Sequence, residues 1–486
     1  MPLLTPPVGN LPDTSLIIGD TRVSDSSGGT HPHLYAGNGA LTSEVPMAGP
    51  VEVDRAVSAA RAAQPGWERM PPPQRRKLLN AFADLIERDA DLLTDLAIID
   101  TGTPRVQAQR GGMVTAELFR YNAGWTDRLE GSVLPTWPAA ALDYAVPRAY
   151  GVVAIIVPWN GPSISAGMTV APALAAGNTV VLKPPELAPY AVLHLGKLAL
   201  EAGIPPGVLN VIPGGPEGGN ALVSHAGIDK VHFTGSGPTA QRILAAVIPH
   251  MTPVGLELGG KSASVVFDDI DTSIVPSLLH GIITLSGQGC INPTRLIVQD
   301  NIYEEFVAIA TQTMAAIPMG DPNDVNTVMG PVVNDAACQR ILGMIDRADS
   351  EGARLTTGGG RLGGELADGY FIEPTILADV DNSSYIAQNE VFGPVLSILR
   401  FSDEADAIAM ANDSEFGLAG YVYTNNLKRA HRVADQLDVG NVWVNGFAGI
   451  PASAPFGGNK MSGVGRLGGK WGIEEFTRMR NVWVGL

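Results

Sequence analysis

Of the two cysteines in the chain, Cys290 and Cys338, only the first has surroundings suited to chemistry. Cys290 lies in Gly287-Gln288-Gly289-Cys290, where flanking glycines leave room for a ligand to reach the sulfur. A free thiol with a pKa near ~8.5 is only a few per cent thiolate at neutrality, so nucleophilic work by it needs a base or a positive field nearby. Glu257, in Glu257-Leu-Gly-Gly, is the candidate acid or base, and Arg295 follows Cys290 by five residues. Cys338 sits in a helical pattern and reads as an inert buried thiol. Asn160, after Pro158-Trp159, is either a turn-former or a preorganised donor for a developing oxyanion.

Two glycine-rich segments could cradle phosphate. Gly255-Leu-Glu-Leu-Gly-Gly260-Lys261-Ser262 satisfies the phosphate-loop spacing in full, but such a loop must follow a buried strand and open a helix. Here the β-branched run Ala263 to Phe267 follows instead, which argues against an NTPase. Phe233-Thr-Gly235-Ser236-Gly237 leaves a strand, turns on glycine and enters a helix over Thr239 to Val247, a geometry open to a pyrophosphate but found in many α/β proteins. Lys183-Pro184-Pro185-Glu186 follows a strand directly and is either a solvated turn or a ribose-binding edge.

The elements that must position these groups alternate between strand and helix. Strands are expected at Gly151 to Val157, Thr179 to Leu182, Val208 to Ile212 and Lys230 to Phe233, with a helix over Ala188 to Ala202: a doubly wound, parallel α/β pattern. A second series covers Ala263 to Phe267, Thr294 to Val298, Val395 to Arg400, Gly420 to Tyr423 and Asn441 to Asn445. Val51 to Ala63 and Pro71 to Thr101 read as helices, the charges from Arg75 to Arg88 marking a solvated face. Leu129 to Arg148 lacks helical period and reads as an extended arm, and Asn481 to Gly485 as a terminal strand in need of a partner.

The 486 residues are 45% hydrophobic and 17% charged, too apolar for disorder and long enough for two or three domains. A net charge of −17 without a basic stripe argues against nucleic acid, and no apolar run reaches the roughly 18 residues of a membrane span. Met1 to Asn10 has no basic region ahead of an apolar stretch, so no secretion address is expected. With no disulfide framework, a reducing, cytoplasmic setting follows. Eight histidines, His31 and His33 among them, show no repeated ligand spacing, and no metal is expected.

In chain order, Pro158-Trp159-Asn160, Lys183-Pro184-x-Glu186, Phe233-Thr-Gly235-Ser236, Glu257-Leu-Gly-Gly-Lys261, Gly287-Gln288-x-Cys290, Glu390-x-Phe392-Gly-Pro394 and Pro455-Phe-Gly-Gly458 with Lys460 and Ser462-Gly463 accumulate. The series resembles the aldehyde dehydrogenase superfamily, of the hydrolytic NAD(P)-dependent type, from about Gly19 to the C-terminus. The resemblance implies Cys290 as nucleophile, Glu257 as the base that activates water, and Asn160 with the Cys290 amide as oxyanion hole. It implies Lys183 and Glu186 at the adenosine ribose, Gly235 and Ser236 at the pyrophosphate, and Glu390 with Phe392 at the nicotinamide riboside. Ile156, Val157, Pro158, Trp159, Gly215, Gly219, Phe233, Thr234, Leu258 and Gly259 would complete the cofactor site.

The implied fold is a Rossmann-like cofactor domain (1–128 and 149–256, with 459–476 returning to it), a catalytic α/β domain (257–458), and a small β arm (129–148 and 477–486) that pairs subunits into a homodimer or homotetramer, the terminal strand adding to a neighbour. Glu186 should accept from a free ribose 2′-hydroxyl and repel a 2′-phosphate, which favours NAD over NADP. Gly161, Ser165 and Met168 are smaller than the aromatics several relatives carry. With Gly289, Ile291, Ile450 and Phe456 they suggest a roomy apolar tunnel for a bulky hydrophobic or aromatic aldehyde. An acylating, coenzyme A-dependent semialdehyde dehydrogenase is the less favoured reading because Glu257 is present, and a catalytically silent binding relative is disfavoured by the intact Cys290, Glu257 and Asn160. Ala240 replaces a glycine at a helix start, where its small side chain should be tolerated, and Leu467 stands where a glutamate often follows Gly-Arg, with no functional account.

Overall fold

A computed structural model describes Pro6, residues 11–447 and residues 449–485; Met1 to Asn10, Pro6 apart, lies outside the described residues. Val152–Ile156 and Thr179–Lys183 are buried and mostly apolar, as parallel strands covered by helices on both faces must be, and Lys230–Thr234 is buried as far as Phe233 though it carries Lys230 and His232. They are the centre of an eight-stranded sheet ordered Thr21–Val23, Leu16–Ile18, Leu209–Val211, Thr179–Lys183, Val152–Ile156, Lys230–Thr234, Val254–Glu257, Gly463–Val464. From Val152–Ile156 the chain first winds one way, through Thr179–Lys183 to Leu209–Val211, then returns to lay Lys230–Thr234 on the opposite side. The order of the strands thus reverses between Val152–Ile156 and Lys230–Thr234, and open α/β sheets bind ligands beyond the carboxyl ends at such a point.

A second, seven-stranded sheet runs Arg354–Thr357, Thr375–Ala378, Val395–Phe401, Arg295–Gln299, Ala263–Val266, Ala419–Tyr423, Asn441–Val444, parallel except for its first pair. Val254–Glu257 ends the parallel run of the first sheet and Ala263–Val266 begins the second, so the turn between them is a link from sheet to sheet. No helix follows Ser262, which removes the phosphate-loop reading. The second sheet carries its own apolar core, including Phe306, Leu279 and Tyr421.

Several expectations need correction. Pro71 to Thr101 is two helices, Pro72–Arg88 and Ala90–Thr101, because Asp89 leaves helical geometry (φ −97°, ψ 19°) and its carboxylate is held 2.8 Å from His194 Nε2. Arg75 is not on a solvated face: it is buried, and its guanidinium donates to the carbonyls of Trp67 and Glu68, at 3.2 and 3.3 Å, at the end of the helix Pro50–Arg69. The terminal strand Thr477–Gly485 runs antiparallel to Ala141–Ala149 of its own chain, from Thr477 opposite Ala149 to Gly485 opposite Ala141, and forms an edge of its sheet with one side unpaired among the described residues. Ser132–Leu134 completes that three-stranded arm. Among the described residues no helix is long and apolar enough to cross a membrane.

Candidate active site

Cys290 sits just beyond a tight turn that several distant side chains hold. After the helix Val275–Ile283, Leu285, Ser286 and Gly287 take left-handed backbone angles (φ 55°, 54° and 75°). At Gly287 a Cβ would lie 2.1 Å from the Gly393 backbone, so only glycine fits. The Leu285 N–H donates to Gln107 Oε1 at 2.8 Å, Ser286 Oγ to the Gly330 carbonyl at 3.0 Å, and Tyr421 Oη to the Ile291 carbonyl at 2.8 Å. Gln288 binds both ways, its amide donating to the Leu285 carbonyl at 3.0 Å and its oxygen accepting from the Val333 N–H at 2.9 Å. Asn160, between Val152–Ile156 and the helix Pro162–Ala175, donates through Nδ2 to the Gln288 carbonyl at 2.7 Å. The side-chain amide is thereby fixed beside the cysteine turn.

Glu257 ends Val254–Glu257 with its carboxyl buried and Oε2 without a hydrogen-bond partner among the described residues. Burial raises its pKa well above the usual carboxylate range, with Arg466 opposing and Glu475 reinforcing the shift. Burial, then the charges of Glu390 and Glu257, push the Cys290 thiol up to about 12. Both carboxyl groups therefore act on the sulfur, which rests as a thiol. Glu390 accepts from the Gly260 N–H at 2.9 Å and is pushed up to about 7 by burial, against the pull of Lys261 and Arg340. Lys261 itself is buried with no hydrogen-bond partner for Nζ, and burial with Arg295 pushes it down to about 7.

The crevice where strand order reverses is lined from both sides. Pro158 and Trp159 follow Val157 at one strand end, and the Trp159 ring meets Phe392 edge to face at 5.3 Å. Ile156, Val157, Phe233 and Leu258 are buried beneath, while Thr234 ends the neighbouring strand. The Gly235 N–H donates to the Glu257 carbonyl at 3.0 Å, and a Cβ on Gly259 would lie 2.1 Å from Glu390 Oε2. Ser236 caps the helix Gly237–Val247 with its backbone only, leaving the side-chain cap bond unmade and the first amides open to an anion. Lys183 is buried at the strand end, its ammonium 3.5 Å from the Pro184 carbonyl and 4.0 Å from Glu186. Gly215 precedes the helix Pro216–Val223, and a Cβ on Gly219 would lie 3.4 Å from Lys183 Cε. A buried, under-bonded lysine, a glycine floor and an open helix start fit a dinucleotide.

The chain matches the family model described as "Aldehyde dehydrogenase family" over residues 23–482. An aldehyde dehydrogenase of Emericella nidulans is 41% identical over 96% of this chain and 94% of its own. Retinal dehydrogenase 2 of Homo sapiens is 38% identical over 99% and 94%. The chain belongs to the aldehyde dehydrogenase family. Among solved structures, a betaine aldehyde dehydrogenase of Staphylococcus aureus in complex with NAD+ superposes with a TM-score of 0.95 at 34% identity, covering 97% of this chain and 95% of that one.

Within this aldehyde dehydrogenase the expected tunnel residues are scattered in environment. Gly161, Ser165 and Met168 are half-buried on or just before Pro162–Ala175, with Met168 packed against the core of the first sheet. Gly289 packs on the Asn292 side chain, Ile291 rests against the second core, and Ile450 is exposed. Phe456 is buried, its N–H donating to the Leu467 carbonyl at 2.8 Å and its own carbonyl accepting from Leu467 at 2.7 Å. Leu467 gains its account here: it is buried in the first core and fixes Phe456. Ala240 is buried at its helix start, as its size allows. Lys230, Tyr421, Arg466 and Glu475 surround the site and were not picked out by residue type; only Arg466, beside the Ser462-Gly463 motif, carries a signal in sequence.

Proposed function

We propose that this aldehyde dehydrogenase oxidises a bulky hydrophobic or aromatic aldehyde to its carboxylic acid with NAD, through Cys290. The observation that carries the reading is the convergence of the Asn160 amide, the Cys290 turn and the buried Glu257 carboxyl from two sheets. The thiol passes its proton to water, the sulfur attacks the carbonyl carbon, and the oxyanion is met by Asn160 Nδ2 and the Cys290 N–H. NAD, when bound, supplies the acceptor for the hydride that leaves the thiohemiacetal carbon. A thioester on Cys290 remains; the Glu257 carboxylate takes a proton from water, the water oxygen bonds to the acyl carbon, and the C–S bond breaks with its electron pair leaving on the Cys290 sulfur. Trp159, Phe392, Lys183, Glu186 and the open start of Gly237–Val247 would hold the dinucleotide, and Glu186 supports NAD over NADP. Support for assembly comes from the arm, where Val133 is 75% and Trp137 89% exposed. The two free cysteines support a reducing, cytoplasmic setting.

The test is NADH formation at 340 nm with NAD and NADP across acetaldehyde, benzaldehyde, long alkanals and citral, with Cys290→Ala as control. Activity confined to the unaltered enzyme and kcat/KM led by the bulky aldehydes is expected. A ranking led by acetaldehyde overturns the substrate class, and silence with NAD bound overturns the chemistry.

A further inference from the structure

A general base must pass its proton on before it can act again, and Glu257 is buried. Side chains alternate along a strand, so positions 255 and 257 of Val254–Glu257 share one face, about 7 Å apart. Position 255 is glycine, and the space its side chain would take is filled from elsewhere: a Cβ on Gly255 would lie 2.4 Å from Glu475 Oε1 and 2.8 Å from His232 Cδ2. The antiparallel register of Leu256 with Val464 and Glu257 with Gly463 carries on to set Gly465 opposite Gly255. There too a Cβ would lie 2.7 Å from Glu475, at Oε2. Two facing glycines therefore admit one carboxylate onto the face that carries Glu257.

The path between them is short. A Cβ on Gly457 would lie 2.9 Å from Glu257 Oε1, 2.8 Å from the Gly465 carbonyl and 2.9 Å from Arg466 Cδ, so that oxygen and the Gly465 to Arg466 segment border the same small space. Gly465 and Arg466 also border a hollow of about 350 Å³ that is open to solvent, with Trp471, Glu474 and Glu475 as its other sides. At about 30 Å³ per water it has room for several molecules. Glu475 is held in place by Lys230, buried, with Nζ 2.8 Å from Oε1 and 5.0 Å above the Tyr150 ring.

We propose that Glu475, anchored by Lys230, is the relay through which the proton taken by Glu257 leaves for solvent. This rests on the reading of Glu257 as the base of thioester hydrolysis. The O–H bond of water breaks, oxygen goes to the acyl carbon, the proton goes to Glu257, and from there it passes by water in the hollow to Glu475 and out past Glu474. The charged and titratable groups around the path are Arg466, which opposes the protonation of Glu257, Glu475, which favours it, and Lys230. His232 stays neutral, burial pushing it down to about 3; Arg478 lies over Tyr150, and Cys290 feels Glu257 and Glu390 from the far side.

Glu475→Gln keeps the shape and an acceptor for Lys230 but carries no proton. With enzyme in excess, NADH formation should stay within about twofold of wild type. Acid release should slow by about tenfold or more, with its rise against pH displaced and the rate restored by imidazole, a small proton carrier that enters the hollow. Should that variant not fold, the paired Lys230→Met and Glu475→Leu, which removes both charges together, should give the same imidazole-dependent loss. Acid release at the wild-type rate, or a loss shared by NADH formation and untouched by imidazole, overturns the relay. Glu257→Gln separates the two failures: if it still releases acid normally, the base assignment has failed and the relay with it, whereas a dead Glu257→Gln beside a normal Glu475→Gln removes the relay alone.

Discussion

Cys290 rests as a thiol because burial, Glu390 and Glu257 all disfavour a negative sulfur. Removing one of those negative charges must lower the thiol pKa, and at fixed pH this raises the thiolate fraction more than it lowers the nucleophilicity of each thiolate. Glu390→Gln should therefore speed iodoacetamide alkylation of Cys290 at pH 8, about threefold or more, with the rate-against-pH curve shifted to lower pH. An unchanged curve would mean that Glu390 does not face the sulfur. The cysteine, the glutamate and the asparagine could be read from the chain because each lies in a short motif whose neighbours shape the backbone around it. Glu475 and Lys230 could not, because their meaning comes from a pairing across 245 positions that no local pattern encodes.

The elements show a similar division. Buried parallel strands such as Val152–Ile156 are continuous apolar runs, so their place in the sequence is plain. The break at Asp89 is hidden because the helical pattern runs on through it, and a tertiary bond to His194 ends the first helix. Arg75 is the sharper case: a charge in a helix reads as solvent-facing, yet this one closes the end of the preceding helix Pro50–Arg69, donating to last-turn carbonyls, of which, among the described residues, that of Trp67 accepts otherwise only from the Met70 N–H of the cap. Arg75→Met should lower unfolding free energy by roughly 1–3 kcal/mol in urea titrations while leaving KM for NAD within twofold. A loss below a few tenths would show that water serves those carbonyls equally well.

At the scale of the whole molecule, the arm built from Ser132–Leu134, Ala141–Ala149 and Thr477–Gly485 turns Trp483, 51% exposed, outward together with Val133 and Trp137. Charging that surface with Val133→Asp and Trp483→Asp should shift sedimentation towards smaller species, and an unmoved boundary would place assembly elsewhere. That the terminal strand pairs with Ala141–Ala149 of its own chain on one side was unreadable, since an edge strand can pair within or between subunits.

The strand Gly463–Val464 has one more effect, on the timing of synthesis. It closes the sheet edge beside Glu257, and Ser462 Oγ donates to the Gly259 carbonyl 203 positions earlier in the chain. At ribosomal speeds of about 5–20 residues per second, the segment bearing Glu257 emerges roughly 10–40 seconds before the strand that locks it in place. A nascent chain can thus assemble most of the first sheet and expose its cysteine while the sheet edge beside Glu257 is still open. Competence arrives late and all at once, after nearly every residue has left the ribosome.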